Sequence, residues 1–138
     1  MRQDMKVPRS TIASEVDNLH HQERETRAAC NFIKSSAALV FDVSLKDINA
    51  KTRQQAHIAF ARQVAMYVAH VRFGLKFHDV AKAFGRDRTT VGYACRLVED
   101  RRDNPSVDFL VDCMERGADE WLELAGYDRN HVQSGWYQ

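Results

Sequence analysis

Apolar residues recur at steps of three and four along most of this chain, and no segment alternates with period two for long. From about Glu25 to Phe41, the residues Ala29, Phe32, Ile33, Ser36, Ala37 and Val40 share one face, which predicts a core helix. Upstream, Ile12, Val16 and Leu19 mark a helical turn or two before the polar run His20 to Glu25, so residues 1–24 are expected to form a tail or a loose, separate helix. Ser44 with Asp47 three residues on reads as a capping box opening a short helix, with a turn following at Asn49-Ala50-Lys51-Thr52. A long helix is predicted from about Arg53 to Phe73, with Ile58, Ala61, Ala65, Val68 and Arg72 along one side and Gly74 ending it. Phe77, Val80, Ala81 and Phe84 predict a short amphipathic helix closed by Gly85 at a position that favours positive φ. Val91, Ala94, Cys95 and Val98 repeat the same spacing, and Asn104-Pro105-Ser106 breaks that helix. A last helix is expected over about Ser106 to Ala125, with Val107, Leu110, Val111, Met114, Ala118, Trp121, Leu122 and Ala125 as its stripe.

With 138 residues, two prolines and six glycines, the picture is an all-α protein of about six helices in one domain over 25–126. Residues 127–138, with Tyr127, Trp136 and Tyr137, form a C-terminal tail that either folds back or stays sticky. No run approaches the ~20 apolar residues that cross a bilayer, and Met1 to Lys6 lacks the apolar stretch of a signal peptide. Cys30, Cys95 and Cys113 are odd in number and widely spaced, so three reduced thiols in a cytoplasmic protein are expected.

The stretch Asp87-Arg88-Thr89-Thr90-Val91 carries the candidate chemistry. Asp87 can accept the unpaired amides of the first turn, as a helix N-cap does. Arg88 and Thr89 then stand in that turn, where the second helix of a helix-turn-helix enters the major groove. The overall charge of +1 hides a polarity around this point. Residues 51–102 hold eleven basic and four acidic side chains, whereas residues 103–138 hold two basic and eight acidic. Positive potential concentrated on a capped helix is the footprint of a phosphate-binding surface.

These residues resemble a known family. From about Ala28 to Arg102 the chain resembles the C-terminal DNA-binding domain of the bacterial chromosomal replication initiator DnaA. The resemblance lies in Val43-Ser44-Leu45-Lys46-Asp47-Ile48, Ala61-Arg62-Gln63-Val64-Ala65-Met66-Tyr67, Ala83-Phe84-Gly85-Arg86-Asp87, Thr89-Thr90-Val91 and Ala94-Cys95-Arg96. It implies a helical domain with a helix-turn-helix, a basic loop that touches the minor groove, and base reading by the Asp87 to Thr90 stretch. Arg88 stands where the family usually has histidine, the turn before Asp87 is one residue shorter, the basic loop is diluted to Lys51-Thr52-Arg53-Gln54-Gln55-Ala56-His57, and Leu97 takes a commonly basic place. A weaker phosphate face and a changed base preference follow from the resemblance, because arginine favours guanine O6 and N7. The chain contains no Gly-x-x-x-x-Gly-Lys-Ser/Thr, so action by site occupancy, in transcription or in replication initiation, is expected rather than ATP-driven melting.

The candidate DNA-binding residues are Lys51, Arg53, Arg62, Lys76, Arg86, Asp87, Arg88, Thr89, Thr90, Tyr93 and Arg96. Lys51, Arg53 and Arg96 suit phosphate, and Arg62 suits either phosphate or the structure. Thr90 either contacts DNA or bonds back within its helix, and Tyr93 either reaches phosphate or packs on the long helix. Gly92 either admits DNA closely or merely weakens the helix, and Lys76 and His78 flank the first helix of the motif near backbone phosphate. His20, His21 and Cys30 fit no zinc spacing, so no metal and no cofactor are expected. No nucleophile, base and acid arrangement indicates an enzyme. Asp108, Asp112, Glu115, Asp119 and Glu123 read as a solvated or partner-facing acidic face. That face, with the aromatic tail, supports the alternative of a protein-interaction module binding the initiator or another regulatory protein.

Overall fold

The computed structural model describes residues 9–51 and 55–126. Six helices are found among them: α1 (Arg9–Val40), α2 (Leu45–Asn49), α3 (Ala56–Phe73), α4 (Phe77–Phe84), α5 (Arg88–Arg101) and α6 (Pro105–Leu124). The order and type match the spacing of apolar residues. Arg53 and the aromatic tail at 127–138 lie outside the described residues.

α3 is the hub. Val64, Ala65, Met66, Tyr67, Val68, Ala69 and Phe73 are all buried, so this helix is apolar on nearly every side, as a helix surrounded by others must be. α1, α4, α5 and α6 pack around it, and α2 closes one end with Ile48. Ile33, Ile48, Met66, Phe73 and Met114 are the largest fully enclosed side chains. Each such burial contributes about 1.5–3 kcal/mol. Trp121 joins α6 to the rest, stacking on Phe32 of α1 at 5.1 Å and meeting Phe73 edge-on at 5.7 Å.

Three features differ from the sequence expectation, besides a start of α3 at Ala56 rather than at about Arg53. The helix expected from Glu25 begins instead at Arg9 and runs unbroken for 32 residues. Residues 9–24 of it are exposed, so their helicity is continuous with a half anchored by Ala29, Cys30, Ile33 and Ala37. Once nucleated by that anchored half, each further residue adds a backbone hydrogen bond at little entropic expense. α6 begins one residue early, because Asn104 is its N-cap, accepting from Ser106 N at 2.9 Å, and Pro105 occupies the first turn, where a missing N–H loses nothing.

The third difference lies in the acidic row. Glu115 is only 3% exposed. Its carboxylate accepts from Arg72 Nε of α3 at 2.6 Å and from the Arg102 guanidinium at the end of α5. Arg102 also donates to Asp108 at 2.7 Å and to the Tyr67 hydroxyl at 3.3 Å, and Arg72 reaches Asp119 at 3.5 Å. Burial works against charge on Arg102, but its bonds to Asp108, Glu115 and Tyr67 hold the guanidinium above its ordinary value. Two arginines from different helices converge here, and the carboxylate is drawn inward to neutralise both. Asp112 pairs with Arg116 on the surface.

A Cβ placed on Gly117 in the middle of α6 would meet nothing within 4 Å. Gly117→Ala is therefore expected to stabilise the protein by about 1 kcal/mol, through helix propensity alone. A urea melt with unchanged m-value and a raised midpoint is the readout; a lowered midpoint contradicts the open space at that site.

Candidate nucleic-acid interface

The α4–α5 turn is built by local chemistry. Gly85 takes φ 63°, and the Gly85 and Arg86 amides close the end of α4 on the carbonyls of Lys82 and Ala81, the arrangement that a left-handed residue after a helix permits. Lys34 of α1 donates to the Ala83 carbonyl at 2.8 Å and lies over the Phe84 ring, fastening the same helix end. Asp87 then caps α5, accepting from Thr90 N at 2.7 Å. Hydrogen bonds from the Thr90 backbone and hydroxyl, and from the Thr89 backbone, hold the Asp87 carboxyl below its usual range. The cap is ionised at neutral pH, and its contribution is lost only as the pH falls through that depressed value.

Val91, Ala94 and Val98 are buried against α3, with Cys95 half-buried beside them. This fixes the opposite side of α5 to solvent. Arg88, Thr89, Thr90, Tyr93 and Arg96 are all exposed. Tyr93, at 56% exposure, does not pack on α3. Thr90 takes part in the cap through its amide, which donates to Asp87. Gly92 is buried, and a Cβ on it would meet the Phe77 ring at 3.4 Å. α4 and α5 therefore approach closely at this glycine. The Arg96 guanidinium lies near the same glycine, beside the start of α4, where Lys76 is exposed.

Two expected phosphate ligands have internal partners. Arg62 is 7% exposed and donates to the carbonyls of Ile48 at 2.8 Å and Asp47 at 2.8 Å. It is a structural residue that satisfies the open end of the short α2, and burial with Arg86 nearby pulls its guanidinium below the usual value. Arg86 is half-buried and donates to the Ala50 carbonyl at 2.7 Å and the Lys51 carbonyl at 3.4 Å. It ties the turn before α5 to the loop before α3. Lys51 itself is exposed in that loop. Sequence reasoning allowed Arg62 a structural role but missed that of Arg86, since a guanidinium's partner is invisible until distant carbonyls converge on it. It also missed Lys34, whose position beside the core residue Ile33 was the available signal.

Cys30 and Cys95 are each pushed up to about 11 by burial, while Cys113 is exposed. At pH 8 a thiol reagent is expected to modify Cys113 rapidly and the other two only after denaturant is added. Equal native rates at all three would contradict this packing. Among the described residues no group of three or more His, Cys, Asp or Glu could hold a metal ion, and no helix is long and apolar enough to cross a membrane.

The fold and site define an all-helical domain organised around a helix-turn-helix. Residues 30–98 match the family model of the bacterial DnaA protein helix-turn-helix, and the chain belongs to that family. It is 30% identical over 95 residues to the chromosomal replication initiator protein DnaA 2 of Chlamydia pneumoniae, an overlap of 69% of this chain and 21% of that protein. It is 37% identical over 67 residues to DnaA of a Nostoc species, covering 45% of this chain and 14% of the relative. Among solved structures, a DNA replication initiation factor superposes with a TM-score of 0.67 at 30% identity, over 75% of this chain and 32% of that one. The replication initiator DnaA bound to AMPPCP and single-stranded DNA gives 0.64 at 28% identity, again over 75% and 32%. The chain thus spans about a fifth of the length of the curated initiator it matches over 95 residues.

Proposed function

We propose that this chain binds double-stranded DNA in a sequence-dependent manner through a domain spanning 25–126, and acts by occupying its sites. The observation that carries the reading is the exposure of Arg88 and Thr89 in the first turn of a capped helix whose opposite side is locked into the core. In this reading Arg88 and Thr89 address base edges in the major groove, Asp87 and Thr90 set the helix end, and Lys76, Tyr93 and Arg96 position the domain on phosphates. Lys51 and Arg53 reach the adjacent groove from the loop before α3, and Arg86 holds that loop against the recognition turn. The relatives are chromosomal replication initiators by name, and occupancy of sites in a replication origin or in promoters suits a nucleoid-associated cytoplasmic protein without any catalytic step. A protein partner on α6 is the weaker reading, because Asp108, Asp112, Glu115 and Asp119 already face arginines of this chain.

The test is selection of bound duplexes from a random pool, followed by binding measurements at low salt. Enrichment of one motif and retardation of its duplex are expected. No retardation at low salt overturns the proposal. Arg88→Ala is expected to weaken binding of the selected site by about 1–3 kcal/mol and to relax preference at one base pair. A variant that kept both affinity and preference would remove Arg88 from base reading.

A further inference from the structure

The buried stripe of α5 begins at Val91, so Arg88 and Thr89, the residues assigned above to base edges, precede its first core contact. Their aim is set by the turn they follow. Two cationic side chains outside α5 hold that turn.

The first is Lys34 of α1. The last carbonyls of a helix lack intrahelical partners. At the end of α4 the Arg86 and Gly85 amides close those of Ala81 and Lys82. The next carbonyl, Ala83, accepts from Lys34 Nζ at 2.8 Å, across 49 residues of chain. The ammonium also lies 4.8 Å from the centre of the Phe84 ring. It is half-buried, and desolvation works against its charge. A cation in such a place is kept by the negative end of a helix and the face of a ring, and both belong to the residues that lead into the turn. The second is Arg86, inside the turn itself. Its guanidinium spans the carbonyls of Ala50 and Lys51 at 2.7 and 3.4 Å, next to those of Asp47 and Ile48 that Arg62 occupies. The charges of Lys34 and Arg86 thus face backbone carbonyls, whereas Lys76, Arg88 and Arg96 are exposed.

We propose that Lys34 and Arg86 are positioning residues for base reading: they touch no nucleotide and fix the turn that aims Arg88 and Thr89. The proposal rests on the DNA reading above and adds what makes that reading selective. A bidentate arginine discriminates only while its two nitrogens meet both acceptors of one base, which demands placement within about 0.5 Å. Loosening the turn leaves every phosphate-binding cation in place and removes that precision. Discrimination falls, and the number of released counterions does not.

The full chain and its variants are compared on two duplexes: the one selected from the random pool, and the same duplex exchanged at the base pair where Arg88→Ala relaxes preference. The ratio of the two affinities is expected to fall about ten-fold in Lys34→Met and in Arg86→Gln, a part of what one bidentate contact supplies. Lys34→Arg, which keeps a cation at the end of α4, is expected to retain the ratio. The slope of affinity against salt is expected to stay at the wild-type value in all three, whereas loss of a phosphate ligand makes it shallower by about one. Glu115→Ala is the control for stability, because it lowers the unfolding midpoint from the far end of α5 and is expected to keep the ratio. A wild-type ratio in Lys34→Met and Arg86→Gln overturns the positioning role. So does a slope shallower by one, which makes the residue a phosphate ligand, or an equal fall in Glu115→Ala, which reduces the effect to stability. A wild type that retards no duplex, or an Arg88→Ala that relaxes no preference, overturns the DNA reading itself, and either is seen before these variants are compared.

Discussion

Replacing Glu115 with alanine is expected to destabilise the domain by about 3 kcal/mol. The carboxylate is 3% exposed and is shared by Arg72 of α3 and Arg102 of α5. Its removal strands two guanidiniums at the junction of three helices, and the Tyr67 and Asp108 bonds of Arg102 lose their common anchor. Breaking a buried pair by deleting one partner typically costs about 3–5 kcal/mol. The lower end applies, because the arginine side chains are 39% and 24% exposed and can turn their heads toward water. The readout is a urea melt beside Asp112→Ala, whose pair with Arg116 is on the surface and is expected to leave the midpoint unmoved. Indistinguishable midpoints for the two variants would show that the buried cluster holds nothing together.

The second large effect is electrostatic. DNA affinity is expected to fall on the order of 10²-fold between 50 and 200 mM salt, given roughly four phosphate contacts and a slope near −0.9 per contact. Arg62 is buried and Arg86 is tied to backbone carbonyls, so neither joins the exposed cations Lys51, Lys76 and Arg96, and Arg53 of the proposed basic loop is the fourth. Arg62→Lys is then expected to leave the slope unchanged while lowering stability, because the long guanidinium reach to the Asp47 and Ile48 carbonyls is lost. Lys76→Ala is expected to make the slope shallower by about one. Affinity that does not change with salt would mean that phosphates do not hold this domain to DNA.

The six helices were legible because each signal is local. Apolar spacing, Ser44 and Asp87 as caps, and Gly74 and Gly85 as terminators act within a turn or two, and the structure places Gly74 at φ 66° and Gly85 at φ 63° after helix ends as their positions demanded. The exposed face of α5 was equally legible, since Val91, Ala94 and Val98 dictate what must point the other way. The length of α1 was less so, because the polar run from His20 to Glu25 weakens the periodic signal without breaking a helix that its buried half has already nucleated.

Charged side chains divided along another line. Arg72 sat on the predicted stripe of α3, and Glu115 lies four residues after Val111 and three before Ala118 on α6. Glu115 alone reads as a solvated or partner-facing charge, although its place on an apolar stripe is a sign of burial. Apart from the start of α1, sequence by itself determined to within a few residues where helices start and stop and which side of each is apolar, because those are decided by neighbours along the chain. Only the tertiary structure decided which of the arginines meet solvent and which meet carbonyls or Glu115, because a charge is matched by groups that arrive from other helices 13 to 43 residues away.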